Sequence, residues 1–131
     1  MTKSLTILIV DDETAVRRAL QRWLSRTGNV VLEAGSGEEA LDVLDGAKNV
    51  DAVFLDLRLP TMSGRTLYHS IAARRPELAT RTIIMSGDVD EPADREWLEL
   101  HRLPVLPKPF ELAAVDAMLR TLPSDAQRRL G

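Results

Sequence analysis

The chain has 131 residues, a length that suits one domain, and 44% of them are hydrophobic, enough for a single core. It has no cysteine, which excludes disulfides, zinc–thiolate sites and thiol catalysis and fits a reducing compartment. A net charge of −3 without a long basic block argues against direct nucleic-acid binding, and the first apolar run is too short for a signal peptide or a membrane span, so a soluble cytoplasmic protein with no membrane insertion is expected.

In chain order, residues 5–10 are a Leu/Ile/Val-rich run that reads as a strand and leads straight into Asp11, Asp12 and Glu13. A helix follows, with Val16, Leu20, Trp23 and Leu24 on one face and Gly28 as its stop. Residues 30–33 form the second strand. Ser36 and Glu39 have capping-box spacing and open a helix that turns Ala40, Leu41 and Leu44 inward and ends near Gly46. The third strand, residues 52–55, runs into Asp56. Leu67 and Ile71 mark the inner face of a third helix, closed before Pro76. Residues 82–85 are the fourth strand, followed by Ser86, Gly87 and Asp88. Asp90 is the expected cap of a fourth helix, with Pro92 in its first turn and Trp97 and Leu100 inward. The fifth strand, 105–106, leads to Lys108, Pro109 and Phe110. A last helix turns Leu112, Val115, Met118, Leu119 and Leu122 inward and stops at Pro123. His69 and His101 are expected to be exposed and away from the acids, and Trp23 and Trp97 to serve packing. Arg74, Arg75, Arg128 and Arg129 read as solvated charges.

Strand and helix alternate five times, and strands that are apolar on both faces belong to parallel sheets, so the class is α/β with helices on both faces of an open sheet. Sites in such sheets form beyond the carboxyl ends of the strands, near the switch in strand order. That edge collects Asp11, Asp12, Asp56, Ser86 and Lys108. Singly, each has an ordinary reading as a cap, a turn residue or a loop. Together they are more specific. Three carboxylates repel one another and invite a hard dication such as Mg²⁺. An ammonium group and a hydroxyl add donors for an anion. The set suits phosphoryl transfer, in which positive charge and donors hold the equatorial oxygens, and Asp56 reads as the nucleophile that accepts the phosphoryl group.

The stretches LTILIVDDE, VFLDLRLPTMSG, TIIMSGD and VLPKPF, in this order, resemble the receiver domain of two-component response regulators over about residues 4–122. The resemblance implies a flavodoxin-like, doubly wound, five-stranded parallel sheet in the order 2-1-3-4-5 with five helices. A receiver domain is expected over residues 1–122 and a polar tail over 123–131. The resemblance further implies that Asp56 is the phosphoacceptor in a phosphorelay. Asp12 and Asp56 would ligate Mg²⁺ directly, with the backbone carbonyl of Arg58, and Asp11 would hold it through water. Ser86 would be the switch hydroxyl, and Lys108 would pair with the phosphoryl group across a cis Lys108–Pro109 bond. Gly87 would leave the site open to the donor. Such a domain is not an enzyme in the turnover sense but assists its own phosphorylation and dephosphorylation. The implied partners are a sensor histidine kinase or phosphotransfer protein, a downstream protein, and a second copy through the fourth helix, fifth strand and fifth helix.

Two places depart from the family pattern. Val105 stands where the family often has Tyr or Phe, and His101-Arg102-Leu103-Pro104 replaces the usual Gly-Ala before the fifth strand. The form PVLPKPF resembles receivers attached to hybrid histidine kinases and some stand-alone ones. Arg58 and Asp88 carry opposite charge beside the site and are expected to pair across the phosphoryl group. Switching is expected to run mainly through the loop from Gly87 to Asp90 and the start of the fourth helix, with little rearrangement at Val105; the alternative is that Leu103 or Trp97 takes over the role of the ring. Two alternatives remain open. A phosphatase of the haloacid dehalogenase type would need a second Asp two residues after the nucleophile, where Arg58 stands. A degenerate receiver acting only as a docking module would not need the acids, the hydroxyl and the lysine that this chain has.

Overall fold

The computed structural model describes residues 4–87 and 91–123. Five parallel strands alternate with helices: β1 (Thr6–Val10), α1 (Thr14–Arg26), β2 (Val30–Ala34), α2 (Gly37–Gly46), β3 (Ala52–Asp56), α3 (Gly64–Arg74), β4 (Thr82–Ser86), α4 (Pro92–His101), β5 (Val105–Pro107) and α5 (Leu112–Arg120). A short 3₁₀ turn, Pro76–Leu78, which the sequence pattern does not signal, follows α3. The sheet order is β2-β1-β3-β4-β5, as the family resemblance implies.

Alternation along each strand sorts the core into two layers. Leu8, Val10, Val53, Leu55 and Ile84 face α2, α3 and α4, where Ala40, Leu44, Leu67, Ile71, Trp97 and Leu98 meet them. Ile7, Ile9, Phe54, Ile83 and Met85 face the other way, against Leu20 and Leu24 of α1 and Val115 of α5. The two central strands β3 and β4 are buried along their whole length, which is why they carry no alternating polar residues. Because β1 lies between β2 and β3, the chain reverses its direction of travel across the sheet there. That reversal opens a crevice at the carboxyl ends of β1 and β3.

The helix ends follow local chemistry where the residues allow it. Ser36 Oγ accepts from Glu39 N at 3.2 Å, as the capping spacing predicts, and Ser63 Oγ does the same for Thr66 N. At α4 the N-cap position is Glu91, with no side-chain cap, and Pro92 follows. The expected cap, Asp90, lies outside the described residues, as do Asp88 and the tail from residue 124 onward.

Three expectations need correction. Leu100 is not inward but 75% exposed. The buried stripe of α4 is Asp94, Trp97 and Leu98, and Leu100 lies about 200° around the helix from Leu98. Leu112, in the first turn of α5, is also exposed, and Val115 alone of that helix is fully buried. Arg75 is not a solvated charge. Its guanidinium donates to the carbonyls of Ala47 at 2.9 Å and Lys48 at 2.7 Å, capping the open end of α2, whereas Arg74 forms an exposed pair with Asp45.

Of the described glycines, the one with least room for a side chain lies beside the acids. A Cβ on Gly64 would sit 2.5 Å from the carbonyl oxygen of Asp56 and 2.6 Å from Leu57 Cα. The start of α3 therefore packs against the end of β3 at a distance only glycine permits. Gly64→Ala is expected to lower stability by roughly 1–3 kcal/mol, because backbone must move to admit the methyl group. Urea unfolding measures it, and a midpoint equal to wild type would show that the junction yields freely.

Candidate functional site

Asp11 directly follows β1 and is fully buried, while Asp12 beside it is exposed. Asp56 is the last residue of β3 and only 4% exposed. The β3–β4 register sets Asp56 beside Met85, so Ser86 is the next residue out, and Ser86 in turn pairs with Pro107, so Lys108 comes next. Parallel pairing thus brings residues far apart in sequence to one edge. Lys108 N also donates to the Ser86 carbonyl at 2.8 Å, and the Lys108–Pro109 peptide is cis.

The side chains converge. Lys108 Nζ lies 2.7 Å from Asp11 Oδ2, 3.2 Å from Asp56 Oδ2 and 3.5 Å from Glu13 Oε1. The contact with Asp11 is an ion pair rather than an aligned hydrogen bond. The free oxygen faces of the acids are partly taken by backbone: Glu13 N donates to Asp11 Oδ1 at 2.9 Å and Arg58 N to Asp56 Oδ1 at 3.0 Å. Burial, with the charge of Asp11, pushes the Asp56 carboxyl above the usual carboxylate range, and the Arg58 N–H and Lys108 offset this only in part. Burial would lower the Lys108 ammonium, but the close negative charges of Asp11 and Asp56 outweigh it, so its pKa is raised.

Asp11, Asp12 and Asp56 can each offer one carboxylate oxygen, all within 4.8 Å of one another. Three hard oxygen donors against one lysine leave net negative charge, so the donor set fits a hard dication of the Mg²⁺ class. Space for a reacting group exists next to them. A Cβ built on Gly87 would meet only Lys108 Cβ, at 4.0 Å, and a cleft of about 500 Å³ runs from Asp12 along Arg58, Leu59, Pro60 and Thr61. Thr61 holds a left-handed backbone, φ 62°, costly for a β-branched residue, and its hydroxyl bonds Glu38 across the loop.

The family model for the response regulator receiver domain matches residues 7–120. The chain belongs to that family. The receiver is 35% identical over 113 residues to the sensor kinase CckA of Brucella abortus, covering 86% of this chain and 12% of that protein. It is 34% identical over 122 residues to the transcriptional regulatory protein FixJ of Azorhizobium caulinodans, covering 92% of this chain and 56% of that one. The response regulator MprA of Mycolicibacterium vanbaalenii is 34% identical over 116 residues, 88% of this chain and 49% of the relative. The chain thus spans from about an eighth to little more than half of these relatives. Among solved structures, the signal receiver domain of an HD domain-containing protein from Pseudomonas fluorescens superposes with a TM-score of 0.82 at 25% identity, covering 98% of this chain and 100% of that one. The chemotaxis protein CheY4 of Vibrio cholerae, at a TM-score of 0.81 and 20% identity over 92% of this chain and 100% of its own, shares the fold. Among the described residues, no helix is long and apolar enough to cross a membrane.

Several neighbours of the site are not legible in the sequence. Glu13 reaches Lys108, and Arg17 Nη1 holds the Asp11 carbonyl at 2.7 Å while its Nε lies 3.5 Å from Glu33. The side chain of Arg58 bonds Glu91 and Asp94 of the α4 region, at 2.8 and 2.7 Å. Its expected partner Asp88 is outside the described residues. His69 and His101 stand apart from the acids; His69 is exposed, but His101 is half-buried in a cluster with Tyr68 and Trp97. Trp97 is a packing residue, and its indole N–H donates to His69 Nε2 at 3.1 Å.

The raised Asp56 carboxyl has a consequence for stability. Between the unfolded and the higher folded pKa the native chain binds more protons, so stability falls as pH rises through that window. Asp56→Asn removes the charge at nearly equal volume. The variant is expected to be more stable than wild type near neutral pH without Mg²⁺, because Asn carries no charge to desolvate beside Asp11, and no more stable once both the folded and the unfolded wild type hold the proton. Urea midpoints at neutral and acid pH decide it; a lower midpoint for the variant at neutral pH counts against the account.

Proposed function

We propose that this receiver takes a phosphoryl group onto Asp56 from a phosphohistidine of a sensor kinase or phosphotransfer protein. A carboxylate oxygen of Asp56 attacks phosphorus, the P–N bond breaks, and the electron pair leaves with the imidazole, which gains a proton. Asp12, Asp56 and the Arg58 carbonyl would hold Mg²⁺, with Asp11 acting through water. The chemistry such an ion supplies is neutralisation of the charge between the acids and the incoming phosphoryl oxygens. Lys108, already against Asp56, pairs with one of those oxygens, and the Ser86 hydroxyl donates to another. Hydrolysis of the acyl phosphate then returns Asp56 and inorganic phosphate, so the domain resets itself.

The observation that carries this reading is the 3.2 Å approach of Lys108 Nζ to a buried strand-end carboxylate that a second buried acid already crowds. A surface of α4 and β5 suits a downstream protein or a second copy. Leu98, Leu103 and Val105 floor a groove of about 450 Å³ rimmed by Arg95, Glu99 and Arg102, and the exposed Leu100 lies on the same helix.

Incubated with Mg²⁺ and a small acyl phosphate, the wild-type chain should gain the mass of one phosphoryl group. Asp56→Ala should gain none, and chelation of Mg²⁺ should slow wild-type uptake by at least about tenfold. Undiminished uptake by the variant removes Asp56 from the role. Steady turnover of a phosphate ester would instead point to a phosphatase.

A further inference from the structure

Val105 is short, β-branched and set in a strand, so it cannot swing as a large ring does. Arg58 offers another physical path out of the site. Its main-chain N–H donates to Asp56 Oδ1 at 3.0 Å. Its guanidinium lies at the start of α4, where Nη2 donates to Glu91 Oε2 at 2.8 Å and to Asp94 Oδ2 at 2.7 Å. One residue therefore touches both the acceptor carboxylate and the helix. Both bonds to the helix leave from a single nitrogen, so one change of side-chain torsion breaks both. The guanidinium side chain is 52% exposed and has room to turn.

Asp94 is not an ordinary surface acid. It is 3% exposed, and its other oxygen lies 3.6 Å from Arg65 Nη1. The Arg65 guanidinium in turn stands 5.6 Å from the centre of the Trp97 ring, and Trp97 bonds His69 of α3. A buried carboxylate tolerates its charge only while its cations stay. Among the described residues, withdrawing Arg58 leaves Asp94 with Arg65 alone, and the first turn of α4 must re-seat.

Resting on the phosphoacceptor reading, we propose that Arg58 is the positioning residue that couples the state of Asp56 to α4. While Asp56 is a free carboxylate, the guanidinium clamps Glu91 and Asp94. When Asp56 carries a phosphoryl group, the new oxygens, negatively charged and spaced for a two-pronged contact, compete for the guanidinium and draw it off the helix. Phosphorylation is then read at the first turn of α4, without any ring turning at position 105.

The test uses the whole chain, labelled with ¹⁵N, and Mg²⁺ with beryllofluoride as the phosphoryl mimic. In wild type the mimic should shift the amides of Leu57 and Lys108, those of Asp94 and Arg95, the Trp97 indole and the Arg58 side-chain Nε–H. In Glu91→Gln/Asp94→Asn the Leu57 and Lys108 shifts should keep their size, while the α4 and indole shifts fall below about half. An α4 response as large as wild type in that variant, or an Arg58 Nε–H that does not move in wild type, overturns the coupling. No response at Leu57 and Lys108 in wild type overturns the phosphoacceptor reading and the coupling with it. Should the double variant fail to fold, Glu91→Gln alone, which removes only an exposed partner, must still reduce the α4 response; an undiminished one overturns the proposal.

Discussion

Asp11 and Asp56 are two buried carboxylates that share one ammonium group. Either acid alone at a strand end would be an expense to the fold; both together, without Lys108, would carry two like charges out of water with no counter-ion. Lys108 lies within 3.2 Å of both. The sheet order makes this possible. Because β1 and β3 are neighbours, their ends are close enough for one side chain to span, and because β4 separates β3 from β5, the lysine must reach back over Ser86 to do so. The topology, the burial of the acids and the placement of the lysine are one solution to one electrostatic problem.

That solution is balanced rather than deep. The acids at the site outnumber the single ammonium group, the Asp56 carboxyl is held above its ordinary range, and open space adjoins it. A site satisfied to the last charge would have no use for a further cation or a phosphoryl group. The imbalance sits where access is easiest, at the exposed Asp12 and the open side of Gly87.

What was legible in the sequence follows from the range of the forces involved. The strands could be read because β3 and β4 are buried on both faces and keep their polar residues, Asp56, Thr82 and Ser86, at their ends. The acids, the hydroxyl and the lysine could be placed on one edge because parallel strands present their ends together. Ser36 and Glu39 worked as a cap because that bond spans three residues. The failures are contacts set by tertiary packing. Leu100 is an apolar residue at a plausible spacing from Trp97, but the face of α4 is chosen by Leu98 and by the buried Asp94, and a buried aspartate breaks the rule by which helix faces are read. Arg75 looks like its neighbour Arg74, yet the loop after α2 passes within reach of only one of them. Arg58 finds Glu91 and Asp94 more than thirty positions away, and no local pattern announces such a pair.

The glycine at the start of α3 gives the molecule a division of labour. With main chain against main chain at Gly64, α3 is butted to the strand that carries Asp56, and nothing between them can compress. The first turn of α4, by contrast, is joined to the same strand end through the long, bendable side chain of Arg58. Both helices pack on one face of the sheet, but at the strand end one junction is main chain on main chain and the other is a side chain. The strand end that carries the acceptor acid thus meets one helix through main chain, which a substitution can only crowd, and the other through a side chain, which a substitution can remove.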